Sequence, residues 1–304
     1  MKIVFMGSPD FAIPTLDRLY ESEHEITAVV SNVDKRRGRG KKKSPTPVKA
    51  RAQDLNIPVI EVDDLRAPSF AKELKQLDAD LFVVVAFRIL PPEILEIPHK
   101  GSVNLHASLL PKYRGAAPIH WAIIKGEKET GCTIFFLNEQ VDAGVIIKQE
   151  KTAIGPNETT GEVYNRLKDM GSKLMVEAVN EIEHETHQAI EQNDSEACPA
   201  PKLFTDDCRV DFNQTAEKVH NKIRGLSPFP TAWAKLDGEK FNIYRSKIGP
   251  DIQLPTGELK MVDDQLLAGC GKGTVELVEV QLQGKKKMSG KDFMNGYNGK
   301  GQLK

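Results

Sequence analysis

Apolar positions fall into short continuous runs separated by stretches with helical spacing. Lys2–Met6 is a short apolar run closed by Gly7-Ser8-Pro9, and a helical pattern follows from about Asp10 to Glu21, with Phe11, Leu16 and Leu19 apolar. Ile26–Ser31 is a second run. Beyond a basic stretch closed by Ser44-Pro45-Thr46-Pro47, Val48–Leu55 reads as a helix, Pro58-Val59-Ile60 as a short strand and Ser69–Leu77 as a helix. Asp80–Ala86 carries Leu81-Phe82-Val83-Val84-Val85 without polar alternation, the pattern of a parallel strand buried on both faces. Gly101–His106 is the next strand, followed by a loop and a helix over Ala117–Lys125. Thr133–Leu137 and Gly144–Gln149 read as two strands around a turn near Asp142. Thr160–Glu183 reads as a long amphipathic helix, with Val163, Leu167, Leu174, Val176 and Val179 mostly on one face. Strands alternating with helices predict a parallel α/β sheet.

The pattern then changes. Residues 180–207 carry eight acidic residues and one lysine, with Pro199-Ala200-Pro201 among them, and read as a surface linker. Short strand-like runs follow at Thr231–Leu236, Lys240–Tyr244, Glu258–Val262, Gln265–Gly269 and Thr274–Leu282, with turn signals at Asp237-Gly238 and Pro255-Thr256-Gly257. Short strands at this spacing predict a small barrel. The expected organisation is a domain over 1–184, a linker over 185–207 and a second domain over 208–304. Phe229 and Trp233 are expected to pack in the second core.

Composition narrows the class. With 39% hydrophobic residues in 304, a packed core is expected, and no apolar run approaches the roughly 18 residues of a membrane span. The apolar N-terminus is too short for a signal peptide. Cys132, Cys198, Cys208 and Cys270 are scattered without zinc-site or redox spacing, so free thiols in a reducing cytoplasm and no bound metal are expected. The net charge of −1 hides an asymmetry: residues 34–43 hold seven basic residues against one acid, and residues 208–304 hold 16 against 11. Positive charge gathered in one short loop and the C-terminal third implies a polyanionic partner.

Candidate chemistry sits at the end of the predicted strand 101–106. Residues two apart on a strand project to the same face, so Asn104 and His106 point together, near the strand end where α/β sheets bind ligands. An amide donor and an imidazole that exchanges protons near neutrality suit a carbonyl passing through a tetrahedral oxyanion. The continuation Ser108-Leu109-Leu110-Pro111-Lys112-Tyr113-Arg114-Gly115 has a path dictated by Pro111 and Gly115, with leucines able to wall a pocket. Gly7-Ser8-Pro9 lacks the GxGxxG spacing of a dinucleotide loop.

Asn104-Leu105-His106, Ser108-Leu109-Leu110-Pro111, Arg114-Gly115 and Val141-Asp142-Ala143-Gly144 together resemble the signature of the 10-formyltetrahydrofolate-dependent formyltransferases. The resemblance implies a Rossmann-like parallel-sheet catalytic domain followed by a small OB-like β-barrel domain. It implies that Asn104, His106 and Asp142 are catalytic. Asn104 and His106 would stabilise the oxyanion, while Asp142 would hold the imidazole and take part in relaying the amine proton. Ser108, Leu109, Leu110 and Pro111, with the strand-end loop Phe87, Arg88, Ile89 and Leu90, would form the folate site. Phe87-Arg88 departs from the Tyr-Gly of many members, and Val145 stands where an acid is frequent.

The signature does not choose the amine. A small acceptor has no use for the cations of the basic loop, whereas RNA binding is driven by neutralising phosphates. That loop, running through Ser44-Pro45-Thr46-Pro47-Val48-Lys49, resembles the acceptor-stem loop of the tRNA-directed members, implying tRNA contact by Arg39, Lys41, Lys42 and Lys43; Arg36 and Arg37, in the same run of cations, are expected to join them. Asn221–Trp233 resembles the start of their OB-like domain. Lys285-Lys286-Lys287-Met288-Ser289-Gly290 resembles a stretch near its end, implying contact by Lys285, Lys286 and Lys287. The expected acceptor is methionyl-initiator tRNA and the expected state a monomer. An amino-sugar formyltransferase is the rival enzyme; a non-catalytic RNA-binding protein is the rival of another class.

Overall fold

The computed structural model describes residues 1–37, 42–299 and 301–304. The chain divides into two compact units that interleave along the sequence: residues 1–115, 131–152 and 165–199 form the first, and 116–130, 153–164 and 200–304 the second.

The first unit is built on β1 (Lys2–Gly7), α1 (Ile13–Tyr20), β2 (Glu25–Asn32), β3 (Lys35–Arg37), β4 (Lys42–Ser44), α2 (Pro47–Asp54), β5 (Val59–Val62), α3 (Pro68–Gln76), β6 (Leu81–Val85), α4 (Pro92–Leu95) and β7 (Ser102–His106). After α5 (Pro118–Ile124), which counts with the second unit, come β8 (Glu129–Phe136), β9 (Ile146–Ala153) and α6 (Thr160–Glu183). The sheet order is β5-β2-β1-β6-β7-β8-β9. Pairing is parallel from β5 to β7 and antiparallel between β7 and β8, so the expected parallel sheet is a mixed one. The apolar runs lie where burial requires them: all five residues of β6 and the last five of β1 are buried. On one face Val4, Met6, Phe82 and Val84 pack against Phe70, Leu74 and Ile94.

Two features depart from the reading of the basic stretch as irregular loop. Lys35–Arg37 and Lys42–Ser44 pair antiparallel, Arg36 opposite Lys43 and Arg37 opposite Lys42. The stem of this hairpin is tied down by Lys49, whose Nζ lies 2.9 Å from Asp34 and 2.7 Å from Glu61. Those two carboxylates hold its ammonium pKa above the usual lysine value.

The second unit holds α7 (Ala216–Gly225), β10 (Ala232–Leu236), β11 (Glu239–Ile248), β12 (Leu259–Val262), β13 (Gln265–Gly269), β14 (Thr274–Leu282), β15 (Met288–Ser289) and α8 (Gly290–Asn295). The strands pair antiparallel in the order β10-β11-β14-β13-β12, with β15 on β14. Residues 301–304 then join both edges. Lys304 and Lys235 exchange backbone bonds at 2.8 Å, Leu303 donates to Gly257 at 2.8 Å, and Leu259 donates to Gly301 at 2.7 Å. The tail thus pairs with both edges of the sheet. Helix α7 went unread in the sequence although Thr215 caps it and Val219, Ile223 and Leu226 are spaced to enter the core. It also buries His220 between the Pro156 carbonyl, which accepts from Nε2 at 2.9 Å, and the Ser246 hydroxyl at 2.9 Å. Trp233 packs against the core as expected, but Phe229 is 77% exposed: prolines on both sides hold it in a loop that turns the ring outward.

Candidate active site

The site begins where β7 ends. Register sets Val84 of β6 beside Asn104 and Val85 beside Leu105, so Asn104 and His106 are carried on a rigid central strand. His106 is 6% exposed. Its Nε2 lies 2.8 Å from the Tyr113 carbonyl, and its Nδ1 faces Asp142 Oδ2 at 3.7 Å. A carbonyl can only accept, so the proton of the neutral ring sits on Nε2. Nδ1 then presents a lone pair toward a carboxylate. A second proton would enter at Nδ1, between ring and carboxylate.

The loop after β7 makes this geometry possible. Ser108 donates to the Lys112 carbonyl at 2.6 Å, and Thr133 of β8 donates to the Ser108 carbonyl at 2.7 Å while accepting from the Leu110 amide at 3.1 Å. Gln149 of β9 donates to the Leu110 carbonyl at 2.9 Å. Leu110-Pro111 is cis, and Tyr113 has a left-handed φ of 62°. This path brings the Tyr113 carbonyl back under the ring.

Asp142 arrives from the β8–β9 connection. It has φ 53°, a conformation more open to Asp than to most residues because its short side chain can bond locally. Its carboxylate, 14% exposed, accepts from the Gly115 amide at 2.8 Å. Two residues on, a Cβ at Gly144 would stand 1.7 Å from the Phe136 carbonyl oxygen, so the close return of this turn onto β8 requires glycine. Gln192 donates to the Asp142 carbonyl at 3.0 Å and to the Gly144 carbonyl at 2.8 Å.

Asn104 and Asp142 open onto one cleft of about 90 Å³, lined also by Val84, Phe87, Arg88, Ile89, Leu90, Leu95, Leu137 and Val141, with Asn138, Glu139 and Gln140 at its edge. Among the described residues the Asn104 carboxamide has no hydrogen-bond partner, so its donors are free toward the cleft. The structure therefore brings Asn104, His106, Asp142 and Phe87–Leu90 together. Ser108, Leu109, Leu110 and Pro111 do not line this cleft; they form the braced loop behind His106. Arg88 lies along the rim, and its guanidinium donates to the Val62 and Asp63 carbonyls at 2.7 and 2.6 Å, pinning the Phe87–Leu90 loop to the end of β5. Apolar walls, a free amide donor and a buried acid–base pair suit a flat ligand carrying a reactive carbonyl.

The basic residues divide differently. Arg36, Arg37, Lys42 and Lys43 lie on the hairpin strands; Arg39 and Lys41 lie outside the described residues. Lys285, Lys286 and Lys287 are exposed between β14 and β15, with Lys287 held by Glu279 at 3.1 Å and lying 4.5 Å over the Tyr244 ring. Three supports of the site went unread in the sequence: the Tyr113 carbonyl, the Gly115 amide and Gln192. Two are backbone groups that every residue possesses. The third lies about fifty residues beyond Asp142, so no local spacing could link them.

Known proteins resemble this chain along most of its length. Residues 1–179 match the family described as formyl transferase, and residues 202–298 match its C-terminal domain. The chain is 39% identical over 297 residues to the methionyl-tRNA formyltransferase of Geobacter metallireducens, covering 97% of this chain and 96% of that one. The methionyl-tRNA formyltransferase of Alkaliphilus oremlandii is 42% identical over 299 residues, with the same coverage of each chain. Among solved structures, an N-formyltransferase from Helicobacter canadensis in complex with folinic acid and dTDP-3-aminofucose superposes with a TM-score of 0.68 at 20% identity, covering 91% of this chain and 98% of that one, a likeness of fold.

Proposed function

The chain belongs to the formyl transferase family, and from that premise we propose that it transfers the formyl group of 10-formyltetrahydrofolate to the free α-amino group of methionyl-initiator tRNA. The product is N-formylmethionyl-tRNA for translation initiation. The observation that carries the reading is that Asn104 and Asp142 open onto one cleft, with His106 facing Asp142 at 3.7 Å, in a chain that matches methionyl-tRNA formyltransferases along 97% of its length.

The pterin end of the folate enters between Phe87, Ile89, Leu90, Leu137 and Val141, with Asn138 and Gln140 offering amide edges to its heteroatoms. Ile89 and Val141, both exposed, leave the rim of this cleft open to the ligand. The neutral amine attacks the formyl carbon, a C–N bond forms, and the carbonyl electron pair moves onto oxygen. The Asn104 carboxamide donates to that oxyanion. Both His106 nitrogens face protein atoms, so the ring acts through Asp142: the proton leaving the amine is received between Nδ1 and the carboxylate. Collapse breaks the bond to N10, which takes that proton as tetrahydrofolate leaves. Protons balance without an outside donor.

We assign formyl transfer to residues 1–184 and tRNA contact to residues 208–304 and to Arg36, Arg37, Arg39, Lys41, Lys42 and Lys43, with the Lys285–Lys287 turn adding charge. The chain works as a cytoplasmic monomer; among the described residues no helix is long and apolar enough to cross a membrane. Purified protein with 10-formyltetrahydrofolate is offered methionyl-initiator tRNA or a nucleotide-linked amino sugar. Formylation of the tRNA alone is expected. Formylation of the sugar and not the tRNA overturns the acceptor, and transfer to neither overturns the activity.

A further inference from the structure

The acidic segment before the second unit has the composition of a linker, yet its residues 190–199 run along the site. Ile190 and Ile146 of edge strand β9 exchange backbone bonds at 2.8 and 2.9 Å. Two residues later, Gln192 uses its whole hydrogen-bonding capacity on groups next to the chemistry. Its two amide protons go to the carbonyls of Asp142 and Gly144. Its oxygen accepts twice from Arg114, from Nε at 3.1 Å and from Nη2 at 2.7 Å. Asp194 fixes the same guanidinium at 2.8 Å. Cys198 completes the strap: its carbonyl accepts from the Arg114 amide at 3.0 Å and its Sγ from the Tyr113 amide at 3.3 Å.

We infer that Gln192 is a positioning residue for formyl transfer, an inference that rests on the roles proposed above for His106 and Asp142. The groups it joins are the two ends of the acid–base pair. Arg114 lies between Tyr113, whose carbonyl fixes His106 Nε2, and Gly115, whose amide fixes the Asp142 carboxylate. Gln192 couples that loop to the backbone of Asp142 itself. Asp142 sits in a left-handed turn with its carboxylate 3.7 Å from Nδ1, outside hydrogen-bond reach, so a small change in the turn decides whether the proton path closes. Only a carboxamide serves here. Two carbonyls require donors and a guanidinium requires an acceptor, and no other side chain of this length supplies both. A glutamate would keep, and strengthen, the Arg114 contact while turning an oxygen toward two carbonyl oxygens.

That asymmetry supplies the test. Gln192→Glu retains the anchor on Arg114 and loses the tether on Asp142; Gln192→Met keeps the length and loses both. The readouts are kcat and KM for methionyl-tRNA and 10-formyltetrahydrofolate, the melting temperature, and the ¹⁵N shifts of the His106 ring in protein without substrates. Both variants are expected to lose about 10- to 100-fold in kcat, the scale of a displacement near 1 Å. Each KM should stay within twofold, and the ring shifts should change. A kcat within twofold of the parent chain together with unchanged ring shifts overturns the inference. So does a loss of activity accounted for by a lower melting temperature with unchanged ring shifts. A parent chain that formylates no tRNA refutes the proposed acceptor instead, and the ring-shift comparison still decides whether Gln192 sets the pair.

Discussion

Replacing Asp142 by Asn removes one charge and little else. The side-chain oxygen of Asn still accepts from the Gly115 amide, and the turn keeps its tie to Gln192 through the main chain. The His106 tautomer is also retained, because the Tyr113 carbonyl sets it. What disappears is the attraction between a doubly protonated ring and a carboxylate 3.7 Å away. At an effective dielectric near 20 that attraction is about 4.5 kcal/mol, against about 1 kcal/mol in bulk water. With His106 6% and Asp142 14% exposed, the larger figure governs. In the proposed path the amine proton reaches the pair during attack, so the effect falls on the transition state and not on ground-state binding. Each 1.4 kcal/mol is a factor of ten, so the formyl-transfer step should slow by about three powers of ten. Single-turnover transfer from 10-formyltetrahydrofolate to methionyl-tRNA, with enzyme in excess, reads that step. Dissociation constants for both substrates should stay within twofold. A D142N rate within tenfold of the parent, or a defect confined to binding, would refute the charge argument.

Gly144→Ala should lower the melting temperature clearly, because its Cβ would meet the Phe136 carbonyl at 1.7 Å and the whole turn must shift; overpacking of this kind costs about 1–3 kcal/mol or more, and an unchanged calorimetric melt would contradict it. Burial lowers the His220 pKa below the ordinary 6.5, with the Pro156 carbonyl opposing, and burial lowers His120 in the same way. Both groups bind protons more readily in the unfolded chain, so stability is full above about pH 6.5 and falls as pH drops toward the folded values. His220→Gln should therefore flatten the fall in melting temperature between neutral and mildly acidic pH, and an equally steep fall would count against the assignment. Replacing Arg36, Arg37, Lys42 and Lys43 together by Ala should weaken tRNA binding and reduce the salt slope by about 0.7–0.9 for each phosphate left without its cation, with little change in folate binding. A salt slope equal to the parent's would reject the hairpin as a phosphate-binding arm.

Much of the fold was legible because burial imposes a period. The Leu81–Val85 run, the 160–183 helix and the strands at 265–269 and 274–282 were readable from side chains alone. The turn of direction between β7 and β8 was not, since apolar content does not encode whether neighbours run parallel. The hairpin in the basic stretch was hidden for a related reason: cations and glycine mask a backbone ladder that no side chain reports. Within the site, Asn104, His106 and Asp142 stood out through chemistry and signature. Their supports did not, because they act through carbonyl and amide groups or through a glutamine in a segment with linker composition.

The hydrogen bond between His106 and the Tyr113 carbonyl has an evolutionary side. In many acid–base sites the proton's place on an imidazole is chosen by a partner side chain, and one base change in the gene can remove it. Here the choice is made by main chain, so no substitution at residue 113 other than one that reroutes the backbone can reverse it. The information resides in the shape of the loop, spread over the Thr133 and Gln149 bonds, the bend at Pro111 and the return at Gly115. Such a device tolerates drift in individual letters. It should fail abruptly when an insertion or deletion alters the length of the path between residues 106 and 115.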